Sequence, residues 1–228
     1  MARVNLARRA EIGSERRART RAAILDAARD WYAAAQAGPV TVDAVMQAAG
    51  LAKGTFYVHF NDLEELEAEL GAVLIEEIDE RLQPARRAVS DPLTRLATAA
   101  TILLRGLAAQ PAQARLVAHA ADHIPDFGEA VHVRLREDLA AAQAAGRLAL
   151  PSNDLAARIV SAIAMQAARD LGLGRIDKTT VPDIVRTILR AIGCPPADAA
   201  ARAGQAARNA DKFARQTAAA SAADTAAG

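Results

Sequence analysis

The sequence predicts an all-helical fold in which a small N-terminal head of three helices is joined by a long helix to a C-terminal helical bundle. The chain of 228 residues is 52% hydrophobic, yet it has only one Trp, two Tyr and four Phe. Apolar residues recur every three or four positions, and no stretch sustains the alternation typical of strands. This length is ample for a hydrophobic core.

Charge is distributed unevenly, although the formal net charge is only +1. Residues 1–21 contain seven Arg and two Glu, whereas 62–80 contain nine acidic residues and no Lys or Arg. A basic segment of this kind either contacts nucleic acid or serves as a solvated tail. The sequence leaves both interpretations open for Arg3, Arg8 and Arg9.

The compartment follows from three observations. A single cysteine, Cys194, excludes an internal disulfide framework and fits a reducing cytoplasm. No apolar run approaches the ~18 residues that a membrane span requires. The N-terminal segment lacks the apolar core of a secretory signal. We therefore expect a cytoplasmic, nucleoid-associated protein without a membrane partner.

The head is expected over residues 15–62, after a basic, disordered arm over 1–14. Its first helix is predicted from about 15 to 36, with Ile24 and Ala28 on the buried side. Arg17 and Arg21, near the start of this helix, are predicted to contact the phosphate backbone of DNA.

A helix-turn-helix is predicted over residues 41–60. Thr41 can cap the first helix, and Gly50 suits the left-handed position that ends it. A second helix of about two turns follows, with Phe56 and Phe60 buried on one side. Its outer faces carry polar side chains, as in helices that enter the major groove of DNA, namely Lys53, Thr55, Tyr57 and His59.

The run A-G-L-A-K-G-T-F-Y-V-H-F-N-D-L-E-E-L within this stretch resembles the TetR-type (TetR/AcrR) bacterial transcriptional regulators. The resemblance covers about residues 17–66. It implies a homodimeric, sequence-specific DNA-binding regulator, most often a repressor that a small-molecule effector releases from a palindromic operator. It implies neither a cofactor nor an enzymatic activity.

The resemblance also assigns roles to residues of the motif. Thr41 and Thr55 match hydroxyls that contact the DNA backbone, and His59 matches a phosphate donor. Lys53 and Tyr57 take positions that face base edges or flanking phosphates, and Gly54 lets the helix approach the duplex. Three residues depart from the family's pattern and suggest fewer phosphate contacts than usual: Asp43, Ala52 and Leu63.

The remaining folded part, residues 63–194, is predicted as a ligand-binding and dimerisation domain. Breaks at Pro92, Gly146 and Pro151 separate helices over about 63–82, 92–109, 111–122, 126–146, 153–171 and 181–193. In the family that this chain resembles, the last two helices pair with those of a second protomer. The residues expected in this dimer interface, for which an intramolecular core is the less favoured alternative, are Leu155, Ile159, Ile163, Ile184, Ile188 and Ile192.

A small-molecule pocket is expected inside this domain, lined mainly by aliphatic residues and with an effector of unknown identity. The candidate lining residues are Leu103, Leu107, Leu116, His119, His123, Phe127, Val131, Leu135, Met165 and Gln166.

Two alternative functions remain open from the sequence. His119 and His123 lie four residues apart on one helix face, a spacing at which two imidazoles can share a metal ion, so a metal-responsive sensor is one. A ligand-independent DNA-binding regulator is the other. No phosphate loop, nucleophile elbow or H-E-x-x-H motif is present, so an enzyme is not expected.

Residues 195–228 are expected to form a partly helical or disordered tail. Half of residues 197–228 are Ala, and Phe213 is the one large apolar side chain among them. Such a segment has little apolar surface to bury.

Overall fold

The computed structural model describes residues 2–34, 40–124, 127–148 and 152–227, and these form helices joined by short connections, without strands. None of these helices combines the length and the apolar character that a membrane span requires. The helices are α1 (Ala2–Ala33), α2 (Val42–Ala48), α3 (Lys53–His59), α4 (Leu63–Arg87), α5 (Pro92–Ala109), α6 (Pro111–His123), α7 (Glu129–Ala144), α8 (Asn153–Gly172), α9 (Val181–Ala191) and α10 (Pro196–Ala227).

The helix-turn-helix of the head forms from the local signals that predicted it. The Thr41 hydroxyl accepts a hydrogen bond from the Ala44 amide at 3.2 Å and caps α2. Gly50 takes a left-handed φ of +66°, and the Leu51 amide returns to the Met46 carbonyl at 2.9 Å. The core of the head consists of buried side chains from all three helices: Ile24, Ala27, Ala28, Val45, Met46, Phe56 and Phe60.

Helix α4 begins at Leu63 and has a side-chain cap. Asp62 is the N-cap, and its carboxylate accepts from the Glu65 amide at 2.8 Å. Glu65 in turn accepts from the Asn61 amide at 2.8 Å, which completes a reciprocal cap. The helix then continues through Pro84 to Arg87, beyond its predicted end at about residue 82.

Helices α4 and α6 approach each other closely at Gly71. A Cβ added to Gly71 would lie 2.1 Å from the Leu116 carbonyl oxygen of α6, closer than atoms can approach. Only glycine therefore permits this backbone contact.

Buried ion pairs fasten α7 to α4 and α5. Asp138 of α7 is 1% exposed and accepts from Arg86 of α4 and Arg95 of α5, each at 2.7 Å. Nearer the start of α4, the Asp79 carboxylate lies 2.5 Å from Arg134 of α7. Removing one partner of such a pair leaves a buried charge without compensation, which is costly.

The C-terminal segment is a packed helix, so the prediction of a tail that buries little was wrong. Helix α10 packs against α5 and α9, and its buried face consists of Ala199, Ala203, Ala206 and Ala210. The Arg202 guanidinium contacts the Asp91 carboxylate and donates to the Thr94 hydroxyl at 3.0 Å. Alanines at this spacing let two helix backbones come close without large side chains.

The N-terminal segment also differs from its prediction as a disordered arm. Helix α1 begins at Ala2, and residues 11–19 are helical and exposed. Ala and Arg have high helix propensity, which explains a helix that packs against nothing over these residues. Met1 and residues 35–39 lie outside the described residues, so the predicted end of α1 near residue 36 is not tested.

Candidate nucleic-acid interface and cavity

Helix α3 presents one face to the core of the head and the opposite face to solvent. Phe56 and Phe60 fill the core with ring centroids 5.5 Å apart, whereas Tyr57 is 58% exposed. Lys53 and Gly54 lie on the exposed side with Tyr57. A short helix held through two buried aromatic rings can place these residues against a surface outside the protein.

Gly54 is not required by the fold. A Cβ added there would meet no atom within 4 Å, and the residue lies in a helix, where glycine costs about 1 kcal/mol relative to alanine. The space beside Gly54 is therefore open to the outside of the protomer, and the role that the resemblance attributes to this residue stays a prediction.

Lys53 is paired with an acidic neighbour on α2. Its Nζ donates to Asp43 Oδ2 at 3.0 Å, and both side chains are exposed. The hydrogen bond to Asp43 raises the pKa of Lys53, so the ammonium stays charged. A contact from Lys53 to DNA therefore requires this exchangeable surface pair to open, which costs little.

Arg21 holds α1, α3 and α4 together rather than facing outwards. Its Nε donates to Glu69 Oε1 at 2.9 Å, its Nη1 donates to the His59 carbonyl, and its guanidinium lies 4.1 Å from the Phe60 ring centroid. Since its guanidinium is already engaged within the protomer, Arg21 is not a candidate for a phosphate contact. Arg17 is exposed and has no hydrogen bond or ion pair within the described residues, so it remains available.

The other predicted contact residues lie at the start of α2 and on α3. Thr41 is exposed, and its hydroxyl proton is free because the oxygen acts as the acceptor of the α2 cap. Thr55 and His59 are partly exposed.

Val58 was missed by the sequence analysis. It is 66% exposed, next to Tyr57 on the outer side of α3. An exposed aliphatic side chain has no packing role within the protomer, and apolar contacts of this kind read the thymine methyl group in the major groove. Its position between Tyr57 and His59, both on outer faces, is the signal that pointed to it.

A cavity of about 580 Å³ lies between α4, α5, α6, α7 and α8. The predicted pocket residues that line it are Leu103, Phe127, Val131, Leu135, Met165 and Gln166.

Four of the predicted pocket residues lie elsewhere. Leu107 and Leu116 are buried in the helical core, because α5 and α6 are apolar on more than the cavity side. His119 and His123 lie on another side of α6, where His119 Nε2 is 3.3 Å from the Glu64 carbonyl.

The cavity has a polar part that the sequence analysis did not find. Asp79 and Arg86 of α4 contribute charged groups to its wall, and His132 of α7 contributes an imidazole. Burial raises the pKa of Asp79, although Arg134 and Arg86 oppose that effect. Asp79 was hidden among nine acidic residues that read as a solvated helix face.

His119 and His123 stack on each other without forming a metal centre. Their ring centroids are 4.1 Å apart, and His123 Nδ1 contacts the His119 carbonyl at 2.8 Å. Over the described ranges, no group of three or more His, Cys, Asp or Glu side chains is arranged to hold a metal ion. The metal-sensor alternative thus lacks structural support.

The predicted dimer residues do not share one surface. Ile188 and Ile192 are 0% and 1% exposed inside the protomer, so their assignment to a dimer interface was wrong. Both belong to the hydrophobic core of the protomer, where α9 packs against α5, α8 and α10. Leu155 is 52% exposed, and the remaining three residues are partly buried: Ile159, Ile163 and Ile184.

A capped helix-turn-helix with an exposed second helix, carried on a helical bundle, defines a helix-turn-helix DNA-binding protein. Residues 24–70 match the family "Bacterial regulatory proteins, tetR family". The head of this chain is therefore similar to that of the TetR-type transcriptional regulators, as its sequence resemblance indicated. Proteins of that family are DNA-binding regulators rather than enzymes.

Solved structures share the fold over most of this chain. RolR in complex with resorcinol is 20% identical, with a TM-score of 0.66 over 83% of this chain and 95% of that one. A γ-butyrolactone receptor (ArpA-like protein) is 19% identical, with a TM-score of 0.53 over 87% of this chain and 99% of that one. NalD, the secondary repressor of the MexAB-OprM multidrug efflux pump in Pseudomonas aeruginosa, is 22% identical, with a TM-score of 0.52 over 76% and 96%. No curated protein matches the sequence.

Proposed function

We propose that this protein is a homodimeric repressor that binds a palindromic operator in the bacterial cytoplasm and is released by a small molecule bound in the cavity. The observation that carries this proposal is that α4 belongs to both sites. Its first turns are joined to the head through the Arg21–Glu69 pair, and its later residues line the cavity. A ligand that displaces α4 in the bundle therefore displaces the head as well.

For DNA recognition, we propose that α3 enters the major groove. Lys53, Tyr57 and Val58 face the base edges, and Gly54 permits the close approach. Thr41, Thr55 and His59 contact the flanking phosphates, with Arg17 of α1 reaching the backbone beside them. Arg21 is left out because it is already bound to Glu69.

For dimerisation, we propose the outward surfaces of α8 and α9, with Leu155, Ile159, Ile163 and Ile184 as candidates. A single head contacts too little DNA for tight specific binding, and a twofold dimer reads two half-sites. The exposure of Leu155 supports this location, since an exposed leucine contributes nothing to the core of one protomer.

Two properties of the cavity support a small-molecule effector. Its volume of about 580 Å³ is within the range of ligand-binding pockets, and its lining is mostly apolar with a few polar groups. RolR, which shares the fold, has been solved with resorcinol.

The test is a fluorescence-anisotropy titration against the DNA that flanks the protein's own gene, with unrelated DNA of equal length as the control. Lys53→Ala and Tyr57→Ala are expected to weaken binding to the operator by roughly 1–3 kcal/mol and to change binding to unrelated DNA much less. Equal losses on both DNAs would contradict the base-reading role. Release of the operator by members of a small-molecule library supports the effector, whereas binding that no compound reverses would favour a ligand-independent regulator.

A further inference from the structure

The cavity wall contains one carboxylate oxygen that the protein does not use. Arg134 and Gln83 both contact Oδ2 of Asp79, at 2.5 Å and 3.3 Å, and Oδ1 accepts no hydrogen bond from the described residues. The whole residue is only 6% exposed. A buried carboxylate with one oxygen left without a donor is uncommon in folded proteins.

The free oxygen is accessible from the cavity. Among the described residues, the side-chain polar atoms that are fully enclosed without a partner are Arg29 Nε, Asn153 Oδ1 and Arg202 Nε. Asp79 Oδ1 is not one of them, so it retains accessible surface, and Asp79 lines the cavity. Because Asp79 is otherwise enclosed and lines the cavity, the geometry points to the cavity as the side on which this oxygen is open.

Charged groups around the cavity are already neutralised by each other. Arg86 pairs with Asp138, Arg169 with Asp122, and Arg136 with both Glu129 and Asp154. Arg158 also pairs with Asp154. With Asp79 paired to Arg134, no described Asp, Glu or Arg on the wall lacks an opposite charge. A ligand with a net charge would have to be desolvated without gaining a counterion.

The part of the wall that α4 and α5 contribute is mainly aliphatic. Its contributors include Ile75, Ile78, Leu82, Leu96 and Leu103. Apolar residues of α7 and α8 continue this surface beside uncharged or weakly polar ones, namely His132, Ser161 and Gln166. The aliphatic part favours a ligand whose surface is largely hydrocarbon.

We propose that the cavity binds an uncharged ligand with an apolar body and one hydrogen-bond donor, a hydroxyl or N–H group, which donates to Asp79 Oδ1. This assignment deepens the proposed effector function and rests on it for its regulatory meaning. The donor requirement sets specificity, because a ligand without a donor leaves a desolvated carboxylate oxygen without a partner. Anions are excluded by the charge of Asp79, and cations by the adjacent Arg134.

The test is isothermal titration calorimetry of the full-length protein, without DNA, against four probes that share an eight-carbon chain. These are 1-octanol, methyl octyl ether, octanoate and octylammonium. We expect 1-octanol to bind about tenfold or more tightly than the ether, since a hydrogen bond to a charged group separates them. Octanoate and octylammonium are expected to bind more weakly than 1-octanol.

Asp79→Asn examines the role of the carboxylate itself. Its amide oxygen can accept from Arg134, which turns the amide NH₂ towards the cavity, and this donor serves the alcohol and the ether alike. The alcohol-to-ether ratio is expected to fall to about one. Asp211→Asn, which changes a carboxylate paired with Arg105 outside the cavity, is expected to keep the wild-type ratio.

Equal affinity of the wild type for the alcohol and the ether would overturn the proposal, and so would tighter binding of either ion. No binding of any probe, or an unchanged ratio in Asp79→Asn, would overturn it too. If circular dichroism shows that Asp79→Asn is unfolded, the wild-type ranking decides alone. Adding the operator separates the two proposals: an alcohol that binds without releasing DNA leaves the ligand chemistry intact and contradicts the effector function.

Discussion

The two terminal helices, α1 and α10, are alike in sequence and opposite in environment. Each contains 32 residues and is rich in Ala and Arg. On α10, alanines at positions 199, 203, 206 and 210 are buried, and Arg202 is bound to Asp91. On α1, residues 11–19 are exposed, and Arg16 and Arg17 have no partner within the described residues. Composition alone therefore does not determine whether such a helix packs against the bundle. Packing requires a stripe of alanines that faces a helix with complementary groups.

The difference also separates two uses of arginine. Where the helix is packed, the guanidinium fixes one helix to another, as Arg202 does. Where the helix is free, the charge remains available to a partner of opposite charge, and DNA is the polyanion that a TetR-type regulator binds.

Removing α10 is the strongest way to test this comparison. Deletion of residues 196–228 is expected to lower the free energy of unfolding by roughly 3–4 kcal/mol, from about 0.8 kcal/mol for each of four buried methyl groups plus the Arg202 contacts. Urea unfolding followed by circular dichroism measures the loss. Deletion of residues 2–14 is the matched control and is expected to leave the midpoint unchanged. An unchanged midpoint without α10 would show that its packing contributes no stability.

A single methyl-to-isobutyl change tests the same contrast more locally. Ala206→Leu is expected to destabilise the protein by about 1–3 kcal/mol, because Ala206 is 0% exposed and a larger side chain overpacks the interface with α5. Ala18→Leu on the exposed part of α1 is expected to stay within about 0.5 kcal/mol of the wild type. Thermal unfolding of both variants provides the measurement, and equal shifts would remove the distinction between the two helices.

The two kinds of arginine can be compared in DNA binding. Arg17→Ala is expected to reduce the slope of log affinity against log salt concentration by about one unit, the effect of one lost phosphate contact. Arg215→Ala removes an arginine from α10 that is likewise exposed and unpaired, but far along the sequence from the head. Anisotropy titrations at several salt concentrations should show no change for it. An equal effect of both would indicate a general charge effect instead of a contact by α1.

The smallest expected effect is a pH dependence of α10 packing. Burial raises the pKa of Asp91, but hydrogen bonds from Thr94 and the charges of Arg202 and Arg147 outweigh it, so the net pKa is lowered. This stabilisation is present above the pKa of about 3.9 of an unfolded aspartate, and it is lost as the pH falls through the lower folded value. Asp91→Asn is expected to flatten the stability profile below about pH 4. A profile that keeps its wild-type slope would assign the acid sensitivity to other carboxylates.

The predictions from sequence that the structure confirms depend on interactions between residues close together in the chain. The prediction of the head was correct because it rests on local features. The Thr41 cap, the Gly50 turn and the Phe56–Phe60 pair each involve residues that are close in sequence. The assignment of Arg21 to DNA missed its structural role, because its partner, Glu69, lies 48 positions away in the sequence. The cavity was found only in part, since Leu103 and Leu107 lie on one amphipathic helix, and nothing in their spacing shows which of them borders open space. Burial of alanine on α10 likewise depends on a partner surface that the segment's own composition does not reveal.

The contact at Gly71 divides the part of α4 between the head and the cavity into two arms of equal length. The contact with Leu116 lies eight residues after Leu63, where the helix leaves the head, and eight residues before Asp79 at the cavity. At 1.5 Å per residue each arm is about 12 Å long, so a rotation of about 5° moves either end by roughly 1 Å. If a ligand rotates α4 about this contact, as the proposed function requires, the head end moves by the same distance as the cavity end and in the opposite direction. In a symmetric dimer, the two heads would move by the same amount. The distance between them would then change by up to twice the displacement of one head.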